Sequence, residues 1–454
     1  MVAMAHEVIV IGGGSAGLGA ARQAVQSGAR PLMIADGPIG GDCTWTGCVP
    51  SKTLISQSRR GAPFEKAIGI VHDTVQAIAD SESADVLRAE GIDVVEGRAS
   101  FSGPTEVVVD GKKYVSEHIV IATGSRAVVP PIPGVEDVEV LTNENLFELT
   151  ELPSRLGIIG GGAIGAEMAM AFAGFGSTVT IFEGADRLLP QEEPEASAVI
   201  ARAMEAAGVQ VHAGANVESV SGQPGNITVR VSGTDTTVDV LLIAAGRSPN
   251  SGDLGLESLG VVLTSRGHIE VDNKLRTAVQ GISAAGDVTG LLPFTHSADE
   301  QARLAVSHSL GKGTKWKYDA STTPWVTFTA PEVARVGVLE SEAPDGAQVA
   351  DLPLSVVDRA ITEGRTDGFV KLIAAPKGIT RGLAGGKLVG ATIVADRAGE
   401  MIHGPTLAAR LGMFVGRLAQ VTVPYPTWTT AIQQAAGMFF QPIHGLEARP
   451  ARRS

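Results

Sequence analysis

The chain has 454 residues, 44% hydrophobic and 19% charged, with a formal net charge of −13. That length suggests about three domains with cores of their own. The composition is globular rather than disordered, and no apolar run approaches the ~18 residues of a membrane span. The acidic balance argues against nucleic acid or a membrane surface as partner, since either selects a concentrated Lys/Arg face.

Two cysteines rule out a disulfide-stapled secreted fold. The 56 glycines imply many tight turns and close backbone approaches. Met1 to Ala5 lead directly into the apolar Val8–Ile11 without a basic segment or cleavage pattern, so the expected compartment is cytoplasmic.

Val8–Ile11 reads as a strand, Gly12, Gly14 and Gly17 as a G-x-G-x-x-G turn, and Leu18 to Gln26 as a helix. The spacing suits a nucleotide pyrophosphate: a sharp turn, a backbone without Cβ beside the phosphates, and free N–H groups at a helix start. Strands follow at Pro31 to Ala35, Gly91 to Val95 and Ile119 to Ile121, the last running into Ala122-Thr123-Gly124. The unit then repeats, with Leu156 to Ile159 entering Gly160, Gly162 and Gly165, strands at Thr178 to Glu183 and Val209 to His212, and an exit at Leu241 to Gly246. Strands alternating with helices predict parallel, right-handed, doubly wound sheets, so the fold class is α/β with two Rossmann-like nucleotide-binding domains. Small residues at Thr123, Gly124 and Gly246 let backbone sit against a cofactor.

The two copies differ in their acids. Glu183 ends its strand 18 residues beyond Gly165, where a carboxylate accepts from a ribose diol and repels a 2′-phosphate, which favours NADH over NADPH. In the first copy that position is Ala35, with Asp36 next to it. A one-residue offset turns a strand side chain to the opposite face. Either the strand end is irregular and Asp36 substitutes, or that ribose contact is missing.

Cys43 and Cys48, the only cysteines, stand in the glycine-flanked segment Gly40 to Lys52 just after the first strand–turn–helix. With no further Cys/His cluster nearby, zinc is disfavoured and no metal site is expected. A reversible dithiol/disulfide remains, its thiolate stabilised by a helix start or a nearby positive group. Asp42 places a negative charge beside Cys43, which is expected to raise that thiol's pKa.

Around these cysteines, and in Ser283 to Asp287, Thr327 to Gly337 and Gly390 to Glu400, the chain resembles the class I pyridine nucleotide-disulfide oxidoreductases. The resemblance implies an FAD-binding domain at 1–148 and 272–322, an NAD(P)-binding domain at 149–271, and an α+β dimerisation domain at 323–454 that makes a homodimer. It assigns FAD to Gly12, Gly14, Gly17, Gly41 and Asp287, and the nicotinamide cofactor to the second turn. It also sets Lys52 with Glu167 beside the flavin, makes Cys48 the flavin-proximal sulfur, and makes Cys43 the thiol that meets the substrate.

Disulfide-reducing members carry a His–Glu proton shuttle near their C-terminus. Here Tyr425 and Thr430 occupy those positions. Tyr425 resembles the mercuric reductase branch, as does Asp358-Arg359-Ala360; a phenol is a poor shuttle at neutral pH but can approach a soft metal. The alternative is an interface aromatic between two prolines. His296, His308, His403 and His444 offer alternatives to the missing base, but are expected to be structural or exposed. With two cysteines in all, no further pair delivers metal to Cys43 and Cys48. The expected function is electron transfer from NAD(P)H through FAD and the Cys43–Cys48 disulfide to a soft metal ion, a quinone or a small activated acceptor. The alternatives are a lipoamide dehydrogenase or other low-molecular-weight disulfide reductase, or a flavin-bearing redox sensor. The basic tail from Ala448 to Ser454 reads as a solvated, frayed end.

Overall fold

A computed structural model describes residues 6–312, 315–376 and 385–452. Met1 to Ala5, on which the reading of the N-terminus rests, lie outside it. The chain divides into two compact units, one formed by Met1–Pro130, Leu141–Glu151 and Ala245–Ala320, the other by Pro131–Val140, Leu152–Ala244 and Ser321–Ser454.

In the first unit, a parallel sheet runs in the order Ile282–Ala284, Ile119–Ile121, Val8–Ile11, Pro31–Ala35, Asp93–Glu96. Its strands are near-continuous apolar runs because both faces are covered. Val8, Val10, Met33 and Val120 pack on one side with Leu18, Ala20 and Ala21 of the helix Ser15–Gln26 and with Ala298 and Ala302 of the helix Thr295–Ser309. Ile9, Ile11, Leu32, Ile34, Ile119 and Ile121 pack on the other, together with Phe101 and Val107. Burying such a side chain contributes about 2 kcal/mol. The strand order reverses between Val8–Ile11 and Ile119–Ile121, which opens a crevice at their carboxyl ends, where Gly12 and Ala122 meet.

The second unit repeats the plan with Gln210–Ala213, Thr178–Glu183, Arg155–Ile159 and Val240–Ile243 in a parallel sheet. It also holds an antiparallel sheet ordered Trp325–Thr327, Glu332–Gly337, Lys387–Ala395, Phe369–Ala375, Gln348–Pro353, Arg449–Pro450. The helices His403–Arg410 and Thr430–Gly437 share that sheet's core, through Ala408, Ala431 and Ala435 packed with Leu372 and Ile393. The expected strands appear with ends shifted by a residue or two.

The tail is corrected. Arg449–Pro450 pairs with Gln348–Pro353 as an edge strand, the Ala451 N–H donates to the Ala347 carbonyl at 3.0 Å, and Arg449 grips Glu340. A short backbone ladder, one further backbone hydrogen bond and a charged anchor outweigh the tendency of a basic terminus to stay solvated. Arg453 and Ser454 lie outside the described residues. Among the described residues, no helix is long and apolar enough to cross a membrane.

Candidate active site

The two glycine turns have one geometry. A Cβ on Gly17 would lie 1.9 Å from the Gly12 carbonyl oxygen, and one on Gly165 would lie 1.9 Å from that of Gly160. Any side chain there would push helix from strand. Gly14 and Gly162 are open by contrast: a Cβ on Gly162 meets nothing within 4 Å, and one on Gly14 only the Gly41 Cα at 3.9 Å. That is the clearance a pyrophosphate needs above a helix start. A Cβ on Gly13 would stand 3.1 Å from the Ala35 Cβ, and one on Gly161 would stand 3.1 Å from the Glu183 Cβ, so Ala35 and Glu183 are structural equivalents.

The cysteines lie on two consecutive helices. Cys43 is in Gly41–Trp45, and Cys48 opens Cys48–Arg59. The segment is docked on the first glycine turn: the Gly40 N–H donates to the Gly13 carbonyl at 2.9 Å, and a Cβ on Gly41 would fall 2.8 Å from the Gly14 Cα. Both sulfurs are thiols here, Cys43 half-buried and Cys48 exposed. The Thr295 hydroxyl, at the start of its helix, lies 3.2 Å from the Cys43 Sγ and 3.3 Å from the Cys48 Sγ. Cys43 is held far above the ordinary thiol range, first because it gives a hydrogen bond to Cys48 and second because it is buried; Thr295 and Ser15 pull it the other way.

Asp42 acts differently from expectation. Its carboxylate is paired with the Arg247 guanidinium and also accepts from Thr46 at 3.0 Å, and it is not among the principal causes of the Cys43 shift. Charge beside charge is neutralised before it reaches the sulfur. The Arg247 Nε donates to the Ser125 Oγ at 2.7 Å, and the Ser125 Oγ donates to Asp287 at 2.6 Å. Arg247 thus links the cysteine helix to the Asp287 segment. Ser125–Ala127 and Arg247–Pro249 form a two-stranded ribbon, and Thr123 Oγ1 donates to the Asn250 carbonyl at 2.6 Å. The Asn250 N–H donates to the Gly124 carbonyl at 2.9 Å, and the Val128 N–H to the Gly246 carbonyl at 3.1 Å. The small-residue exits of the two copies are thereby tied together.

Lys52 is half-buried, one turn beyond Cys48 on the same helix face. In the second unit, Glu167 is buried and accepts from the Phe328 N–H at 2.9 Å. Glu183 accepts from the Gly161 N–H at 2.5 Å and the Ala185 N–H at 2.6 Å, which sets its carboxylate against the second glycine turn. Tyr425 is 72% exposed, and its hydroxyl donates to Asp358 at 2.8 Å. That bond to a carboxylate raises the phenol's pKa. His296 stacks on Phe294 with ring centroids 5.8 Å apart, and His308 sits 2.8 Å from the Trp316 carbonyl.

The family Pyridine nucleotide-disulphide oxidoreductase matches residues 6–302, and its dimerisation domain matches residues 323–436. Over 97% of its length the chain is 36% identical to a mercuric reductase of Streptomyces lividans, covering 98% of that protein. It is 32% identical to the dihydrolipoyl dehydrogenase of Bacillus subtilis, with 96% of this chain and 97% of that one covered. The solved Cu(II) complex of the HOCl-induced flavoprotein disulfide reductase RclA from Escherichia coli superposes with a TM-score of 0.85 at 32% identity, over 94% of this chain and 98% of that one. The chain belongs to the pyridine nucleotide-disulphide oxidoreductases.

Members of this family are flavoprotein oxidoreductases that use FAD and NAD(P)H and carry a disulfide redox centre. The residues present fit both groups. The first glycine turn has the required clearance, and a cavity of about 460 Å³ lies beside it, lined by Ala35, Pro38, Ile39, Trp45 and Glu96 among others. Asp36 is not among the residues lining that cavity; it is exposed, with its carboxylate 4.0 Å from the Arg98 Nε. The second glycine turn has the same clearance, with the Glu183 carboxylate at its edge. Sequence reading missed Thr295, Ser15 and Arg247 as members of the site. Only Arg247 carried a signal, as the lone charge following Gly246.

Proposed function

We propose that the chain moves two electrons from NADH through FAD to the Cys43–Cys48 disulfide and on to a soft metal ion, a quinone or a small activated acceptor. The observation that carries this reading is the pairing of two sulfurs on one hydroxyl, Thr295, in a chain whose shuttle positions hold Tyr425 and Thr430. FAD, when bound, supplies the two-electron relay between nicotinamide and sulfur. As the S–S bond breaks, two electrons enter it and the thiols take up protons. Cys43, held above the ordinary thiol range, keeps its proton in the hydrogen bond to Cys48. A metal ion needs no general base to leave the two sulfurs reduced to a lower charge state, whereas a disulfide substrate must receive protons. Tyr425, donating to Asp358, keeps its proton and serves as a hydrogen-bond donor rather than a shuttle. That a relative is solved as a Cu(II) complex is the support for including a metal ion among the acceptors.

The same reading places Lys52 with Glu167 beside the flavin, gives 1–148 and 272–322 to FAD and 149–271 to the nicotinamide cofactor, and makes the chain a homodimer through 323–454, for which the matched dimerisation domain is the support. Steady-state NADH oxidation by the purified protein, against Hg(II), Cu(II), quinones, lipoamide and low-molecular-weight disulfides, tests it. Turnover is expected with the metals or quinones and to be lost in Cys48→Ser. Strong lipoamide activity overturns the reading in favour of a disulfide reductase, and no turnover with any acceptor in favour of a redox sensor.

A further inference from the structure

In the first nucleotide-binding unit, the strand position that should carry the ribose-binding carboxylate holds Ala35. Its equivalent, Glu183, shows what is missing there: a carboxylate at the strand end, facing its glycine turn. Asp36 does not repair the gap, because it lies beyond the strand end, outside the cavity lining and turned towards Arg98.

A carboxylate does stand at this place, on the neighbouring strand. Glu96 ends Asp93–Glu96, and in the parallel register it is the direct partner of Ala35. Paired residues of neighbouring parallel strands project to the same face, so Glu96 shares the face of Ala35 that meets the glycine turn. It lines the same cavity as Ala35, Ile39 and Trp45. Among the described residues its carboxylate has no hydrogen-bond or ion-pair partner, in contrast to Asp36 and Glu183. The cavity's far wall is the helix Phe64–Ser81, through Gln76, Ala79 and Asp80, and its near wall is fixed by the Trp45 indole, whose N–H donates to the Ile39 carbonyl at 2.8 Å. A slot that sets Ile39, Trp45 and Ala79 beside a carboxylate at the strand ends offers a surface for a flat base and an acceptor for its ribose diol; the other lining carboxylate, Asp80, accepts from the Gln76 amide at 2.6 Å on the helix side.

We propose that Glu96 accepts hydrogen bonds from the adenosine ribose hydroxyls of FAD, in place of the acid that the first glycine unit lacks. This rests on FAD being the group held by that unit. The test is the affinity of flavin-stripped protein for FAD, followed by the change in flavin fluorescence and absorbance. Glu96→Gln is expected to weaken FAD binding about tenfold, the range for a hydrogen bond to a charged acceptor, and Asp36→Asn to leave it unchanged. An FAD analogue with 2′,3′-dideoxyadenosine should bind wild type and Glu96→Gln alike, because the lost hydroxyls and the lost charge are partners in one interaction. Unchanged FAD affinity in Glu96→Gln overturns the assignment, as does a larger loss in Asp36→Asn. So does a Glu96→Gln penalty that persists with the analogue. Failure of the wild-type protein to take up FAD at all would instead remove the flavin reading, and this inference with it.

Discussion

Thr295 gives one hydroxyl to two sulfurs, and that economy sets how the pair ionises. Its hydrogen bond opposes the rise that Cys48 and burial impose on Cys43. Replacing it by valine keeps the volume and removes the donor. In the reduced protein, the pH profile of Cys43 alkylation by iodoacetamide is expected to move about one pH unit to the alkaline side in Thr295→Val. An unmoved profile would show that the hydroxyl contributes nothing to the thiol. Such a residue is invisible in sequence because its partners are far along the chain. The local letters Phe294-Thr295-His296 draw the eye to the imidazole, which in the fold is stacked on its neighbour. Asp42 shows the converse: its charge was legible, but the Arg247 that cancels it came from a strand end that only tertiary structure brings near.

At the scale of elements, the edge strand Arg449–Pro450 is anchored by a buried charge cluster. The Lys371 Nζ is fully buried, 3.0 Å from Glu340, 3.1 Å from Glu195 and 3.3 Å from Glu193. Burial pushes the Glu340 carboxyl up, but Arg449, the Arg452 N–H and Lys371 together outweigh it and hold it at about 2. A carboxyl held below its unfolded value stabilises the fold above that value and ceases to do so as pH falls through the folded one. The Glu340 contribution of about 3 kcal/mol is therefore expected intact above pH ~4.5 and lost between there and about 2. Urea unfolding of wild type and Glu340→Gln should differ by about that much near neutrality and converge in acid. A constant difference across that window would contradict the cluster's role. The helices and parallel strands were readable because their apolar runs are long and punctuated by glycine turns. The terminal strand was not, since two residues with basic neighbours carry no periodicity and are held by partners such as Ala347 and Glu340.

Across the whole molecule, one βαβ plan is used twice, and the functional differences lie in what was changed between copies. The duplication was legible because Gly17 and Gly165 each face a carbonyl that admits no side chain. The carboxylate assignment was legible only in the second copy, where Glu183 sits at the expected strand end. In the first copy the cavity carboxylate belongs to the next strand, whose register the sequence does not reveal. With Glu183 aimed at its own glycine turn, Glu183→Ala is expected to raise KM for NADH severalfold and to lower that for NADPH, since the substitution removes both the acceptor of the ribose diol and the charge that repels a 2′-phosphate. An unchanged NADH/NADPH preference would set the assignment aside.

The contact of Gly41 with Gly14 has a consequence for how this protein can change over generations. Because the thiol-bearing segment rests directly on the nucleotide turn, atom against atom with no side chain between them, any bulk added to either glycine is felt at both. The two glycines therefore have to change together or not at all, and bulk can be added only where the packing leaves room, as at Gly162 of the second turn, which a Cβ would enter without contact.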